Sequence, residues 1–135
     1  MTPVKSLNHV GIAVRSIEAQ RPYYEETLGA VFEGCEEVIS QKVRVAFFRV
    51  GEIRLELLEP LDATSSVTKF LDTRGEGLHH LAYTVEDISS RIAELQESGL
   101  KMIDAVPRTG AHQMQIAFIH PKSTHGVLTE LCQPK

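Results

Sequence analysis

Two stretches of this chain occur twice. Leu7-Asn8-His9-Val10-Gly11-Ile12-Ala13-Val14 returns as Leu78-His79-His80-Leu81-Ala82-Tyr83-Thr84-Val85. Glu56-Leu57-Leu58-Glu59-Pro60 returns as Glu130-Leu131-Cys132-Gln133-Pro134. The offsets are close, 80 − 9 = 71 for the histidines and 130 − 56 = 74 for the glutamates. A duplication of this kind confines the chain to two similar modules, each bringing one His and one Glu. Joined face to face, the modules would gather two imidazoles and two carboxylates, a set suited to a metal ion.

Within 135 residues the chain has room for one domain with a substantial core. Its 42% hydrophobic and 24% charged residues place it among soluble globular proteins. A net charge of −4 leaves no basic footprint for nucleic acid. No signal peptide or membrane span is legible, so no membrane partner and a cytoplasmic location are expected. Cys35 and Cys132 form neither a C-x-x-C motif nor a disulfide framework.

Each half reads as strand, helix, then further strands. Leu7 to Val14 is apolar and β-branched, as a strand should be. Ser16 is suited to cap a helix running to about Thr27, with Gly29 ending it and Pro22 kinking it or shifting its start. Strands are expected near residues 31–40, 43–50 and 53–58, the last two joined at Gly51-Glu52. In the second half, 78–85 is the strand and 87–98 an amphipathic helix with Ile88, Ile92 and Leu95 on one side, closed by Gly99. Strands near 101–106, 114–120 and 126–132 should follow, and residues 62–74 could hold a short helix. The expected fold class is α+β: two pseudo-symmetric βαβββ modules forming a curved mixed sheet around a metal site, with helices on the outer face. The chain then makes a single domain over residues 1–135, with module one at about 5–61, a connector at about 62–75 and module two at about 76–135.

Period-two alternation sorts the strands into faces. His9 shares a face with Gly11 and Ala13, and His80 with Leu78, Ala82 and Thr84. Val10, Ile12 and Val14, like Leu81, Tyr83 and Val85, take the opposite side and should meet the helices. Small neighbours leave space around the imidazoles. Glu56 and Glu130 lie in apolar strand segments, where an unpaired carboxylate is costly to bury and a shared cation would remove that cost. His9, Glu56, His80 and Glu130 are therefore the candidate metal ligands. Imidazole with carboxylate suits cobalt, nickel, zinc, iron or manganese.

Other polar residues carry weaker signals. His79 should point away from His80. His112, in a loop, could line a substrate mouth, and Lys122 and Arg108 could meet an anionic substrate. His120 and His125 flank a turn. Cys132 shares the face of Glu130 without a partner that would mark it as a nucleophile. No Ser-His-Asp arrangement, P-loop or G-x-G-x-x-G is present.

The repeated His–Glu modules resemble the vicinal oxygen chelate superfamily (glyoxalase, bleomycin resistance, dioxygenase). Four stretches are similar to the methylmalonyl-CoA epimerases of that superfamily: Asn8 to Val14, Leu55 to Leu61, Gly75-Glu76-Gly77-Leu78-His79-His80-Leu81-Ala82, and Phe118-Ile119-His120-Pro121-Lys122 through Gly126 to Leu131. The resemblance implies that His9, His80 and Glu130 ligate a divalent metal, often Co2+, with Ni2+, Zn2+ or Mn2+ as alternatives. Glu56 falls on the fourth ligand position, where some epimerases have Gln and the related glyoxalase I enzymes have Glu. It also implies a homodimer, an acyl-CoA substrate, and Glu130 as base as well as ligand. Some epimerases carry a further catalytic Glu where this chain has Val45, so the resemblance does not name the second acid/base; Glu56 is the candidate here.

The activity implied is epimerisation at C2 of methylmalonyl-CoA through a metal-stabilised enolate, making the protein an isomerase. Glu130 and Glu56 would be the catalytic pair, with His112 and Lys122 as substrate contacts. The alternative within the superfamily is a glyoxalase I-like lyase acting on a hemithioacetal. A small-molecule binding protein of this fold would be expected to have lost its metal ligands, and all four are present.

Overall fold

A computed structural model describes residues 1–135. Its elements follow the order β1 (Ser6–Ala13), α1 (Ile17–Pro22), β2 (Val31–Val38), β3 (Val43–Val50), β4 (Ile53–Pro60), α2 (Ser66–Arg74), β5 (Gly77–Thr84), α3 (Ile88–Glu97), β6 (Arg108–Thr109), β7 (Gln115–Ile119) and β8 (Thr129–Gln133). This is βαβββ twice over, with α2 between, and the fold is α+β. By Cα proximity the chain falls into two compact units, His9–His79 and Met1–Asn8 with His80–Lys135.

In the first unit the strand order is β2-β3-β4-β1. β1 pairs parallel with β4, while β3 is antiparallel to both β4 and β2. One face of this sheet is covered by α1 and the turn after it. Val14, Ile17, Tyr24, Ala46, Phe48 and Leu57 are buried together there, with Ile12, Phe32 and Leu55 packed against them. A six-residue helix has no stability of its own. Burying side chains such as Ile17 and Tyr24, worth roughly 1.5–3 kcal/mol for a fully buried one, holds it in place.

The expected single helix from Ser16 to about Thr27 is instead two pieces. Ser16 does cap it, its Oγ accepting from the Ala19 N–H at 3.1 Å. Pro22 lacks the N–H that would bond the Glu18 carbonyl, and α-geometry stops there. A wider π turn follows over Tyr23–Thr27, in which the Leu28 N–H reaches back to the Tyr23 carbonyl at 3.0 Å.

The second unit has the order β5-β8-β7-β6, with β5 and β8 parallel and β7 antiparallel to β8 and β6. α3 buries Ile88, Ile92 and Leu95 against Val85, Ala117, Ile119 and Leu131. Its start copies that of α1. Asp87 caps it by accepting from the Ser90 N–H at 3.1 Å, and its offset from Ser16 is again 87 − 16 = 71. The Ile17 N–H donates to Glu59 Oε2 and the Ile88 N–H to Gln133 Oε1, each at 2.8 Å. Each helix start is thereby tied to the strand that carries its module's repeated glutamate.

Two strands expected in this half differ. Residues 101–106 do not form one; only an isolated bridge joins Met102 to Ile119, and the edge strand is the two-residue β6. The reason is Asp104, whose Oδ2 accepts the Phe118 N–H at 2.9 Å in place of a backbone carbonyl, while the Ile103 and Asp104 N–H groups both turn to the Phe118 carbonyl. Pro107 then adds a residue with no donor. The last strand begins at Thr129 instead of Gly126, because His125 (φ 57°) and Gly126 (φ 92°) are left-handed.

Candidate metal and acid–base site

The register of each sheet builds a matching constellation. In the first unit Gly11 of β1 and Phe47 of β3 lie opposite Glu56 of β4. In the second, Ala82 of β5 and Phe118 of β7 lie opposite Glu130 of β8. His9 and His80 stand two residues before Gly11 and Ala82, hence on the same faces. The small residues beside the carboxylates keep those faces low, as the alternation implied.

His9 Nδ1 lies 3.2 Å from Glu56 Oε2, and His80 Nε2 lies 3.6 Å from Glu130 Oε1. All four residues are at most 4% exposed, which matters because burying a carboxylate in apolar surroundings is costly unless a cation or hydrogen-bond donor meets it. The surroundings are apolar. Ala82, Met114, Ile116, Phe118 and Cys132 cluster on the side of Glu130, and the His80 ring meets the Phe118 ring edge-on at 5.4 Å. Val45, Phe47 and Leu58 are buried on the side of Glu56. Imidazole nitrogens beside carboxylate oxygens, with little water, form a donor set that fits a first-row divalent cation.

The two pairs use different imidazole nitrogens. Nδ1 faces the carboxylate in the first unit and Nε2 in the second, so the opposite nitrogen of each ring is the one presented elsewhere.

The remaining sequence candidates take other places. His79 alternates away from His80 and meets the Phe70 ring of α2 edge-on at 4.9 Å; burial pushes its imidazole down to about 4 from the usual 6.5, so it is neutral at pH 7. His112 and Lys122 are both exposed, and they flank opposite ends of β7. His112 has left-handed backbone (φ 54°) in the turn Ala111–Gln113. Lys122 lies in the turn Pro121–Ser123, where its N–H donates to His120 Nδ1 at 3.0 Å, giving His120 a capping role. The Cys132 thiol lies 3.5 Å from the Tyr83 carbonyl.

One grouping near the pair of the second unit was not legible in the sequence. Arg108 Nε lies 3.2 Å from Asp104 Oδ1, and its guanidinium carbon sits 5.8 Å from the centre of the Phe118 ring. The sequence named Arg108 as a candidate contact for an anionic substrate but not its tie to Asp104, since an Asp four residues before an Arg means little outside a helix.

The model of the glyoxalase/bleomycin resistance protein/dioxygenase superfamily matches residues 8–118, and the chain belongs to that superfamily. Within it the chain stands among methylmalonyl-CoA epimerases, which are isomerases. It is 38% identical to the ethylmalonyl-CoA/methylmalonyl-CoA epimerase of Cereibacter sphaeroides, over 94% of this chain and 96% of that protein. Methylmalonyl-CoA epimerase from Mycobacterium tuberculosis superposes with a TM-score of 0.94 at 36% identity, covering 98% of this chain and 89% of the other. A variant of the Streptomyces coelicolor enzyme, bound to 2-nitronate-propionyl-CoA, gives a TM-score of 0.93 at 34% identity, covering 98% and 96%.

Proposed function

We propose that the protein interconverts the two C2 epimers of methylmalonyl-CoA. The observation that carries this reading is the paired burial of His9 with Glu56 and of His80 with Glu130, at matching register, in a chain standing among epimerases of that substrate. Solved relatives bound to methylmalonyl-CoA or to a CoA thioester analogue support an acyl-CoA substrate.

His9, Glu56, His80 and Glu130 would be the ligands of a divalent cation in this reading, with cobalt first and nickel, zinc or manganese as alternatives. Bound there, such an ion supplies Lewis-acid stabilisation of negative charge on the substrate's thioester oxygen. The protein's own part is proton handling and exclusion of water. Glu130 takes the C2 proton, leaving an enolate, and Glu56 is the candidate that returns a proton to the other face. A carboxylate near its reference pKa of about 4.3 is a weak base toward carbon. Keeping water from the enolate favours the transfer, and the buried Phe118, Ile116 and Met114 lie on the side of Glu130. His112 and Lys122 are the proposed outer contacts with substrate.

The single domain over residues 1–135, a homodimeric assembly and a cytoplasmic location complete the proposal. No helix is long and apolar enough to cross a membrane. The test is C2 proton exchange of methylmalonyl-CoA in deuterated water, with and without chelator. Exchange that depends on a divalent ion is expected. Turnover of a glutathione hemithioacetal without any such exchange would overturn the assignment in favour of a glyoxalase I-like lyase.

A further inference from the structure

We infer that Arg108 is an anion-recognition residue of this site, held in place by Asp104, and that it binds anionic oxygens of the acyl-CoA. The inference rests on the substrate class proposed above. Arg108 opens β6 and lies opposite Ile116 of β7, which lies opposite Cys132 of β8. Residues directly paired across strands share a face, and Cys132 is two residues from Glu130. Arg108 is therefore on the face of β8 that carries Glu130.

Its guanidinium does not extend outward from the edge. It folds back over Phe118, the residue paired with Glu130 and edge-on to His80. One short run of contacts thus connects the cation to the His–Glu pair.

Asp104 fixes that geometry. Its Oδ2 accepts the Phe118 N–H and its Oδ1 meets Arg108 Nε, so one carboxylate anchors both the strand and the cation above it. Both side chains are at least partly shielded from water, at 35% exposure for Arg108 and 15% for Asp104, where an ion pair is less screened than on an open surface. A guanidinium carries five N–H donors in a planar fork. An ion pair at Nε is compatible with a second, bidentate contact through the Nη nitrogens to a carboxylate or phosphate. The chain is acidic overall at −4, so a polyanionic CoA ester needs a local cation where it docks.

The same chemistry could come from the acyl carboxylate or from a CoA phosphate, and binding measurements separate them. Calorimetric titration of the metal-loaded protein would compare methylmalonyl-CoA with propionyl-CoA, which keeps the phosphates and lacks the carboxylate. Arg108→Gln should weaken methylmalonyl-CoA binding by about tenfold to a hundredfold, the range for losing a charged hydrogen bond. If propionyl-CoA binding is unchanged, the carboxylate is the group recognised; if it weakens in parallel, a phosphate is. Arg108→Lys should recover only part of the loss, since it keeps the charge without the fork. Asp104→Asn should weaken binding less than Arg108→Gln, as expected of a positioning residue. Unchanged affinity in folded Arg108→Gln and Arg108→Lys overturns the inference while leaving wild-type turnover, and the proposed function, intact. A wild type that binds neither thioester overturns both.

Discussion

The two modules place equivalent groups at their centres and diverge at their edges. In the first, β2 and β3 pair backbone to backbone from Val31 to Val38, with one irregularity between Phe32 and Cys35. In the second, the edge shrinks to Arg108–Thr109, and a side chain, Asp104, takes the Phe118 N–H. Where the first unit has Glu36 opposite Val45, the second has Arg108 opposite Ile116 (116 − 45 = 71). The duplicated positions hold what both halves need, a His, a Glu and a small residue between. The edges differ in how each strand is closed and in which side chains they present.

The sharpest way to break this comparison is at its centres. If the halves were chemically equal, Glu130→Gln and Glu56→Gln would slow C2 exchange alike. We expect Glu130→Gln to lower the exchange rate by about 10²–10⁴-fold, the usual scale for losing a positioned acid–base group, with the fold retained by circular dichroism. Glu56→Gln should cost distinctly less. Equal losses would mean that Glu56 removes the C2 proton as effectively as Glu130.

At the edges the expected effects are on stability. Asp104→Ala removes the acceptor of the Phe118 N–H and should lower unfolding free energy by about 1–3 kcal/mol in urea titration. No loss would mean that solvent serves Phe118 equally well. The helix starts should behave as true repeats. Ser16→Ala and Asp87→Ala should each cost about 1 kcal/mol, and a marked inequality would show that one cap is redundant with Glu59 or Gln133.

The smallest effect belongs to Glu33, which accepts from Arg49 Nε at 2.9 Å and Arg54 Nε at 3.1 Å. Those two hydrogen bonds hold its carboxyl below the ordinary 4.5. A lowered folded-state value contributes stability that is present above the unfolded value and is lost as pH falls through the folded one. The difference in melting temperature between wild type and Glu33→Gln should accordingly be present at neutral pH and fade in acid below 4.5. A difference that persists unchanged in acid would assign it to packing.

Local rules read most of the centre and little of the edge. Alternation along Leu7 to Val14 and Leu78 to Val85 sets the faces, and the buried His9, Gly11 and Ala13 follow it directly. Leu78 shares the parity of His80 and is nonetheless 72% exposed, one residue from the start of its strand. Pro22 announced a kink, yet not the π turn, which depends on Tyr24 being drawn under the sheet. Residues 101–106 looked like a strand because four of the six, Met102, Ile103, Ala105 and Val106, are apolar. The outcome turned on one carboxylate finding one amide, a contact with residue 118 that no window around Asp104 contains. Arg108 was named as a candidate anion contact, but its place beside Phe118 was hidden for the same reason, since it follows from that contact.

Glu56 and Glu59 are three apart on β4, as Glu130 and Gln133 are on β8. An odd separation sends them to opposite sides of the sheet, one toward the imidazole and one to the first N–H of the helix. That separation acts as a ruler. A strand that slips by one residue while folding loses the helix anchor and the imidazole neighbour in the same step, so misaligned chains have nothing to settle on. Each half of the molecule thus proofreads the alignment of its own buried glutamate, and inserting a single residue between 56 and 59 would disable that check.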